Sequence, residues 1–513
     1  MSDWTEGYVS DIPYSLGFYR ENTPTHLAFA ALSVGAQPGL LTHPERVLEL
    51  GFGMGLGFVL NAAANPAAHF EGVDFNPEHV AHARGLAEDA GLANVSIREA
   101  SFQHLAAEAH DTQHDLDLIL VHGILSWVNE EAQAAIVEIA RKRLKPGGAL
   151  YASYNVMPGW ASTLPLQRLL REHAARQQGR SDERMAAGTA FLKELQSEEA
   201  RFLTSNATLG NRIESFAKLD RNYLAHEYLN ANWTIFYFAD MAAMMGRAKL
   251  SFTGSVALAE NIDAVSVPEK MRARVAATGD RIWKETLRDY GSNAQFRRDL
   301  FQRGRQNLTV QETRALLVRS RFVLVVPRQA LTLAVKGPLG EIAVRDDLAH
   351  PVADLLADRI AGFDEIAALS AFRELGVGVA LQTLALLVHS GQVMPLPLSD
   401  TDDHEPARRL NHTLVERLRG GRIYNFVAAP VIGSAIGVGA QDLLVLAAVQ
   451  EGHAGTVEEA VSFATKFMEQ SQIRPNRDGQ PLMDSTESGT YLRESIAAIL
   501  RDKLPIWRKL GIV

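Results

Sequence analysis

The segment VLELGFGMGLGF, Val47 to Phe58, sets Gly51, Gly53, Gly55 and Gly57 at alternate positions behind an apolar run that carries one acid, Glu49. Glycines at that density permit a tight turn and close approach of bare backbone to a small ligand. The dinucleotide fingerprint G-x-G-x-x-G does not fit, because counting from Gly51 or from Gly53 puts Leu56 or Phe58 where the third glycine belongs. The next acid of interest is Asp74, in HFEGVDFNPEHVAHAR, where a carboxylate ending a second strand can accept hydrogen bonds from both hydroxyls of a ribose. Further along, His122 follows the apolar run LDLILV, and Tyr154 and Asn155 close LKPGGALYASYN. All of these fall where strands would end.

The elements that must position them alternate. Arg46–Leu50 reads as a buried strand followed by a helix with Phe58 and Leu60, and the second strand ends in Val73, Asp74 and Phe75 before a helix opened by Asn76 and Pro77. NVSIREASF alternates as a third strand ending near Ser101 and Phe102, LDLILVHGIL is a buried fourth, and a Pro-Gly-Gly turn leads into a fifth. Alternating strands and helices predict an α/β, Rossmann-like parallel sheet with its ligand at the strands' carboxyl ends. AHEYLNANWTIFYFADMAAMMGRAKLSFTGSV predicts strand, short helix and strand, which carries the domain from 46 to 258 around a helical insertion at 158–220. That insertion either covers the site, forms a dimer contact, or is an ordinary helix with a solvated loop. Residues 1–45 precede the domain as an N-terminal segment. Residues 259–398 read as an α+β domain whose helices and LTLAVKGPLGEIAV hairpin could form a winged-helix-like module, and the polar LSDTDDHEPARR leads into a helical domain at 399–513.

Composition narrows the classes. The chain has 513 residues, enough for about three domains, and its net charge of −9 offers no general attraction to nucleic acid. It has no cysteine, which excludes disulfides, thiolate nucleophiles and Cys-ligated zinc. The polar, acidic start MSDWTEGYVSD lacks a secretory pattern, so a cytoplasmic location is expected. Residues 423–441 carry no charge, but Pro430, Asn425, Ser434 and three glycines argue for a buried segment instead of a membrane span. His79 and His82, and separately His104, His110 and His114, lack the i, i+4 pairing with an acidic partner of a helical zinc site; solvated faces and no metal are expected.

The pattern E-x-G-x-G-x-G resembles motif I of the class I S-adenosylmethionine methyltransferases, and the glycine loop, Asp74, the third and fourth strand ends and LKPGG follow that family's order. The resemblance implies S-adenosylmethionine as cofactor, its sulfonium and amino acid end near Glu49, with Gly51, Gly53, Gly55, Asp74, Phe75 and His122 as contacts. Ser101 and Phe102 would lie beside the adenine, although many relatives have an acid there. EGYVSDIPYSLGFYRENTPTHLAFAAL, VHGILSWV, SYNVMPGW and YLAHEYLNANW are similar to a bacterial group carrying a methyltransferase regulatory domain, whose best understood members are rickettsial outer-membrane-protein lysine methyltransferases. This second resemblance implies a dimeric N-methyltransferase acting on lysines of a surface protein, with Tyr14 in a segment folded over the cofactor.

A lysine acceptor must lose a proton before it can attack. Tyr154 and Asn155 are the candidates to present its lone pair, against a packing and turn-capping role for the same two residues. His122 is either a proton acceptor, a contact of the cofactor's methionine part, or a turn-stabilising histidine. Trp127, Trp160, His226, Glu227 and Tyr228 could line an acceptor channel, with simple packing the expected role. Two other functions compete: methylation of a small molecule, which the large C-terminal half disfavours, and a non-catalytic regulator that binds S-adenosylmethionine. A nucleic-acid methyltransferase is disfavoured by VHGIL, which replaces the Asn-Pro-Pro-aromatic loop after the fourth strand.

Overall fold

The protein is described by a computed structural model covering residues 5–14, 16–398, 403–472, 476–477, 480–481 and 485–513. Its centre is a seven-stranded sheet. Strands β1 (Arg46–Leu50), β2 (His69–Asp74), β3 (Val95–Glu99), β4 (Leu116–Val121) and β5 (Leu144–Asn155) run parallel, and β6 (Leu250–Ser255) and β7 (Phe296–Arg303) complete the order β3-β2-β1-β4-β5-β7-β6. β7 is antiparallel to both neighbours. Every residue of β4 is buried, as expected for a parallel strand covered on both faces.

Helix starts follow the local chemistry. Thr23 caps α1 (Pro24–Ser33) and Asn76 caps α3 (Pro77–Asp89), each with proline at the first helical position. Between them, Gly55 at φ +75° opens α2 (Leu56–Ala64), and a Cβ there would meet that of Ala83 at 2.5 Å. Only glycine lets α2 and α3 approach so closely at this turn.

Two expectations change. The sheet does not close at 258, because β7 joins it from a segment more distant in sequence and pairs with β5 along Ala149 to Asn155. Of the strand, short helix and strand expected in AHEYLNANWTIFYFADMAAMMGRAKLSFTGSV, the helix Phe238–Gly246 and β6 form, but the segment starts inside another helix, Arg221–Tyr228, capped by Asp220, with Leu224, Ala225 and Tyr228 buried at helical spacing. That face closes a small core with the insertion helices Leu164–Ala174 and Ser181–Ser197 and with Val9 and Ile12 of the N-terminal segment. The period of burial here overrides the aromatic content that suggested a strand.

The C-terminal half is also less separate than expected. The middle region has a three-stranded sheet, the hairpin Ala334–Gly337 and Gly340–Ala343, and helices including Val377–His389, but its core takes in Phe29 and Leu32 of α1. The segment LSDTDDHEPARR includes residues 399–402, which lie outside the described residues. Beyond it, the helix Glu405–Arg419 packs on α2 and α3, and its core is continuous with one face of the seven-stranded sheet. The uncharged residues 423–441 hold the hairpin Phe426–Ala429 and Ser434–Gly437, whose turn presses on the first half: Asn65 Nδ2 donates to Gly433 O at 3.1 Å. Among the described residues no helix is long and apolar enough to cross a membrane.

A shared core should unfold as one unit. Leu414→Ala, at a fully buried position of Glu405–Arg419, is expected to cost about 2–5 kcal/mol. It should shift circular dichroism and tryptophan fluorescence transitions together, since Trp160 and Trp507 report on opposite ends of the chain. A separate early transition of the C-terminal region in this variant would show that the cores are independent.

Candidate functional site

A cavity of about 600 Å³ opens at the carboxyl ends of β1, β2, β4 and β5. The glycine loop forms its floor. Gly51, Gly53 and Gly55 all have positive φ, and a Cβ at Gly51 would come within 2.3 Å of Ile124 Cδ1. The Gly51 amide is held by Val73 O at 2.7 Å and the Gly53 amide by Asp74 Oδ2 at 2.9 Å. Asp74 Oδ1 also accepts from the Asn76 amide at 2.9 Å and lies 3.2 Å from His79 Nδ1. A carboxylate offers about four acceptor positions, so roughly one is left for a ligand, in place of a bond to each of two hydroxyls.

Glu49 lines the same cavity, and its Oε2 is buried with no hydrogen-bond partner. Burial, reinforced by the nearby Asp74 carboxylate, lifts its carboxyl to about 8. Such a group gains from a cationic partner. Phe75, Ser101 and Phe102 line the wall beyond, and the Ser101 hydroxyl is occupied in capping the helix Phe102–Glu108. Tyr14 stands over the loop, near Gly53, with its ring edge-on to His226 at 5.0 Å. An unpaired acid, a bare-backbone cradle and flanking aromatic rings fit a ligand with an ammonium end, a ribose and a purine.

The fifth strand divides its two candidates. Asn155 lines the cavity with its Nδ2 buried and unpartnered. Tyr154 does not line it. Strand alternation turns Tyr154 to the other face, where its hydroxyl donates to Asp299 Oδ2 at 2.5 Å beside the Arg297 guanidinium. The catalytic role weighed for Tyr154 is therefore corrected to a structural one. His122 lies in the cavity wall, its ring tilted 32° against that of Tyr19 at 3.9 Å between ring centres, with Nδ1 2.8 Å from Tyr151 Oη. Burial, aided by Arg298, lowers it to about 3, so the ring is neutral and a poor proton acceptor near pH 7.

The histidines on α3 are not on a solvated face. His79 bonds Asp74, and His82 bridges Met54 O at 2.5 Å to Tyr424 Oη at 2.9 Å, tying the glycine loop to the C-terminal hairpin region. No group of three or more His, Asp or Glu side chains among the described residues could hold a metal ion. Tyr223, Arg212 and Arg298 also line the cavity and carried no recognised signal. Arg298 belongs to β7, which the sequence reading had not placed in the sheet. Tyr223 and Glu227 are four apart on one helix, a spacing that marks a shared face once the helix is known.

Known proteins agree with this geometry. A family model described as a methyltransferase domain matches residues 41–207, and one described as a predicted methyltransferase regulatory domain matches 220–303. The regulatory match therefore starts within the helical region and includes β6 and β7, upstream of the expected 259–398. The uncharacterized protein sll1526 of Synechocystis is 31% identical over 515 residues, 99% of each chain. The uncharacterized protein RP789 of Rickettsia prowazekii is 25% identical over 56% of this chain and 51% of its own. The structure of PKMT2 from Rickettsia typhi in complex with AdoHcy matches 97% of this chain and 100% of that one, with a TM-score of 0.70 at 18% identity. With these matches, the methyl donor is S-adenosylmethionine, and the chain belongs to the class I methyltransferases that carry a methyltransferase regulatory domain.

Proposed function

We propose that the protein transfers methyl groups to lysine ε-amines of a protein acceptor. The observation that carries this reading is the Asn155 carboxamide, buried and unpartnered at Nδ2, in a cavity that also contains the rings of Tyr14, Tyr19 and Tyr223. Bound S-adenosylmethionine supplies a methyl carbon activated by its sulfonium. The protein's task is to hold a neutral amine in line with that carbon. At pH 7 only about one lysine in a few thousand is neutral. Aromatic walls desolvate the ammonium and attract it as a cation, and the Asn155 carboxamide oxygen can accept one of the remaining N–H bonds. The PKMT2 neighbour and the resemblance to rickettsial lysine methyltransferases support the same class. The resemblance extends the proposal to a homodimer acting on an outer-membrane protein.

On the cofactor side, Glu49 would meet the ammonium of the methionine part and Asp74 one ribose hydroxyl. Because Glu49 is raised to about 8 in the free protein, an ammonium binding at pH 7 must expel its proton. Affinity for S-adenosylhomocysteine is expected to rise with pH below about 8, by up to about tenfold per unit, and to level off above. Glu49→Gln should bind more weakly and without that slope. Calorimetry in buffers of different ionisation heat reads the proton release directly, and a flat wild-type profile would remove Glu49 from the site.

Asn155 and Tyr154, adjacent in sequence, should separate in their effects. Asn155→Ala should lower turnover by about 10²-fold, equivalent to about 2.7 kcal/mol of barrier, with little change in S-adenosylhomocysteine affinity. Tyr154→Phe should instead lower stability by about 1–3 kcal/mol, because Asp299 loses a buried donor. Labelled methyl transfer to source-cell proteins, together with thermal melts, distinguishes the two. A large loss of turnover in a fully stable Tyr154→Phe would return that hydroxyl to the reaction.

A further inference from the structure

The helix Arg221–Tyr228 lies in the region matched by the regulatory family model, yet it puts a carboxylate into the cavity. Glu227 lines it, and its carboxyl has no hydrogen bond or ion pair among the described residues. The groups that face it come from three elements. Tyr8, Tyr14 and Tyr19 belong to the N-terminal segment, Tyr223 and Tyr228 to its own helix, and Arg212 to the insertion helix Ala207–Phe216. Burial raises the five phenols, so they stay neutral. Arg212 is committed elsewhere: its Nε donates to Tyr228 Oη at 2.8 Å and its guanidinium stacks 4.3 Å over Trp160. An unpaired acid among aromatic faces matches a long apolar chain ending in a cation.

Resting on the lysine reading above, we infer that Glu227 meets the acceptor ammonium and takes one of its protons, freeing the lone pair for attack. The balance is complete. The Nζ–H bond gives its proton to Glu227, and the nitrogen lone pair then forms the bond to the methyl carbon. The electrons of the broken carbon–sulfur bond return to sulfur and cancel its charge. The product is a methylammonium, and the Glu227 proton leaves to solvent. Burial holds the Glu227 carboxyl at about 7 in the free protein, with Arg212 the opposing influence, a value suited to exchanging a proton near neutral pH. Glu49, raised to about 8, shares the cavity and faces the cofactor, so rates must be read at saturating S-adenosylmethionine.

The test compares wild type, Glu227→Gln and Glu227→Asp in labelled methyl transfer to source-cell proteins from about pH 6 to pH 9, with mass spectrometry of the product and calorimetry of S-adenosylhomocysteine. Glu227→Gln is expected to lower saturated transfer at pH 7 by about 10²-fold, to lose the wild-type levelling of rate above about pH 7 so that its rate keeps climbing to pH 9 as lysine itself loses its proton, and to keep its affinity within about threefold. If the glutamine variant does not fold, the aspartate variant, with its carboxylate withdrawn, is expected to lose about tenfold with ligand binding intact. Lysine methylation by either folded variant at the wild-type rate, or a wild-type break near pH 7 retained in Glu227→Gln, overturns the role of Glu227 and leaves the lysine reading standing. A wild-type product methylated elsewhere than on lysine nitrogen, or no wild-type transfer at all, overturns both.

Discussion

The Asp74 carboxylate accepts the Gly53 and Asn76 amides and meets the His79 ring, so one buried charge fastens the glycine turn and the hand-over from β2 to α3 at the same time. Around it the rest of the cofactor side takes its place. The backbone of Asp74 also accepts the Ala100 amide, which sets the approach to Ser101 and Phe102. Glu49 sits close enough to feel the Asp74 charge, and this adds to the burial that keeps Glu49 protonated in the free protein.

Two of the acids lining the cavity, Glu49 and Glu227, have different neighbours. Glu49 rises from a sheet strand among glycines; Glu227 hangs from a helix among phenols. Both are raised by burial, and neither is neutralised by an ion pair among the described residues. Arg298 and Arg212 line the same space without pairing with them, Arg212 being held by Tyr228 and Trp160. Such an arrangement holds acceptors in reserve for charges that arrive from outside.

The glycine loop, Asp74 and Asn155 were legible because the requirement each meets is local: a turn, a strand end, a ligand edge. Tyr154 was misread by one step of strand parity, which composition cannot reveal, since both faces of a central strand are buried. β7 escaped notice because its partner, β5, lies far away in sequence and its own FRRDLFQR carries three arginines, a pattern that becomes a strand only when Arg297 finds Glu285, Asp289 and Asp299. The helix Arg221–Tyr228 was hidden by its aromatic residues, whose role depends on an N-terminal segment folding across to meet them.

His82 takes its two hydrogen bonds from opposite halves of the chain, Met54 of the cofactor loop and Tyr424 near the C-terminal hairpin. Burial lowers its pKa, and the neutral ring can donate on one side and accept on the other. The last region is therefore a poor unit for genetic exchange. A shuffled copy from another lineage would have to bring a hydroxyl to the position of Tyr424 and an apolar face to match α2 and α3, or leave the loop without its brace. Lineages of this architecture should accordingly inherit their two ends together, with substitutions on either side of the histidine drifting in step.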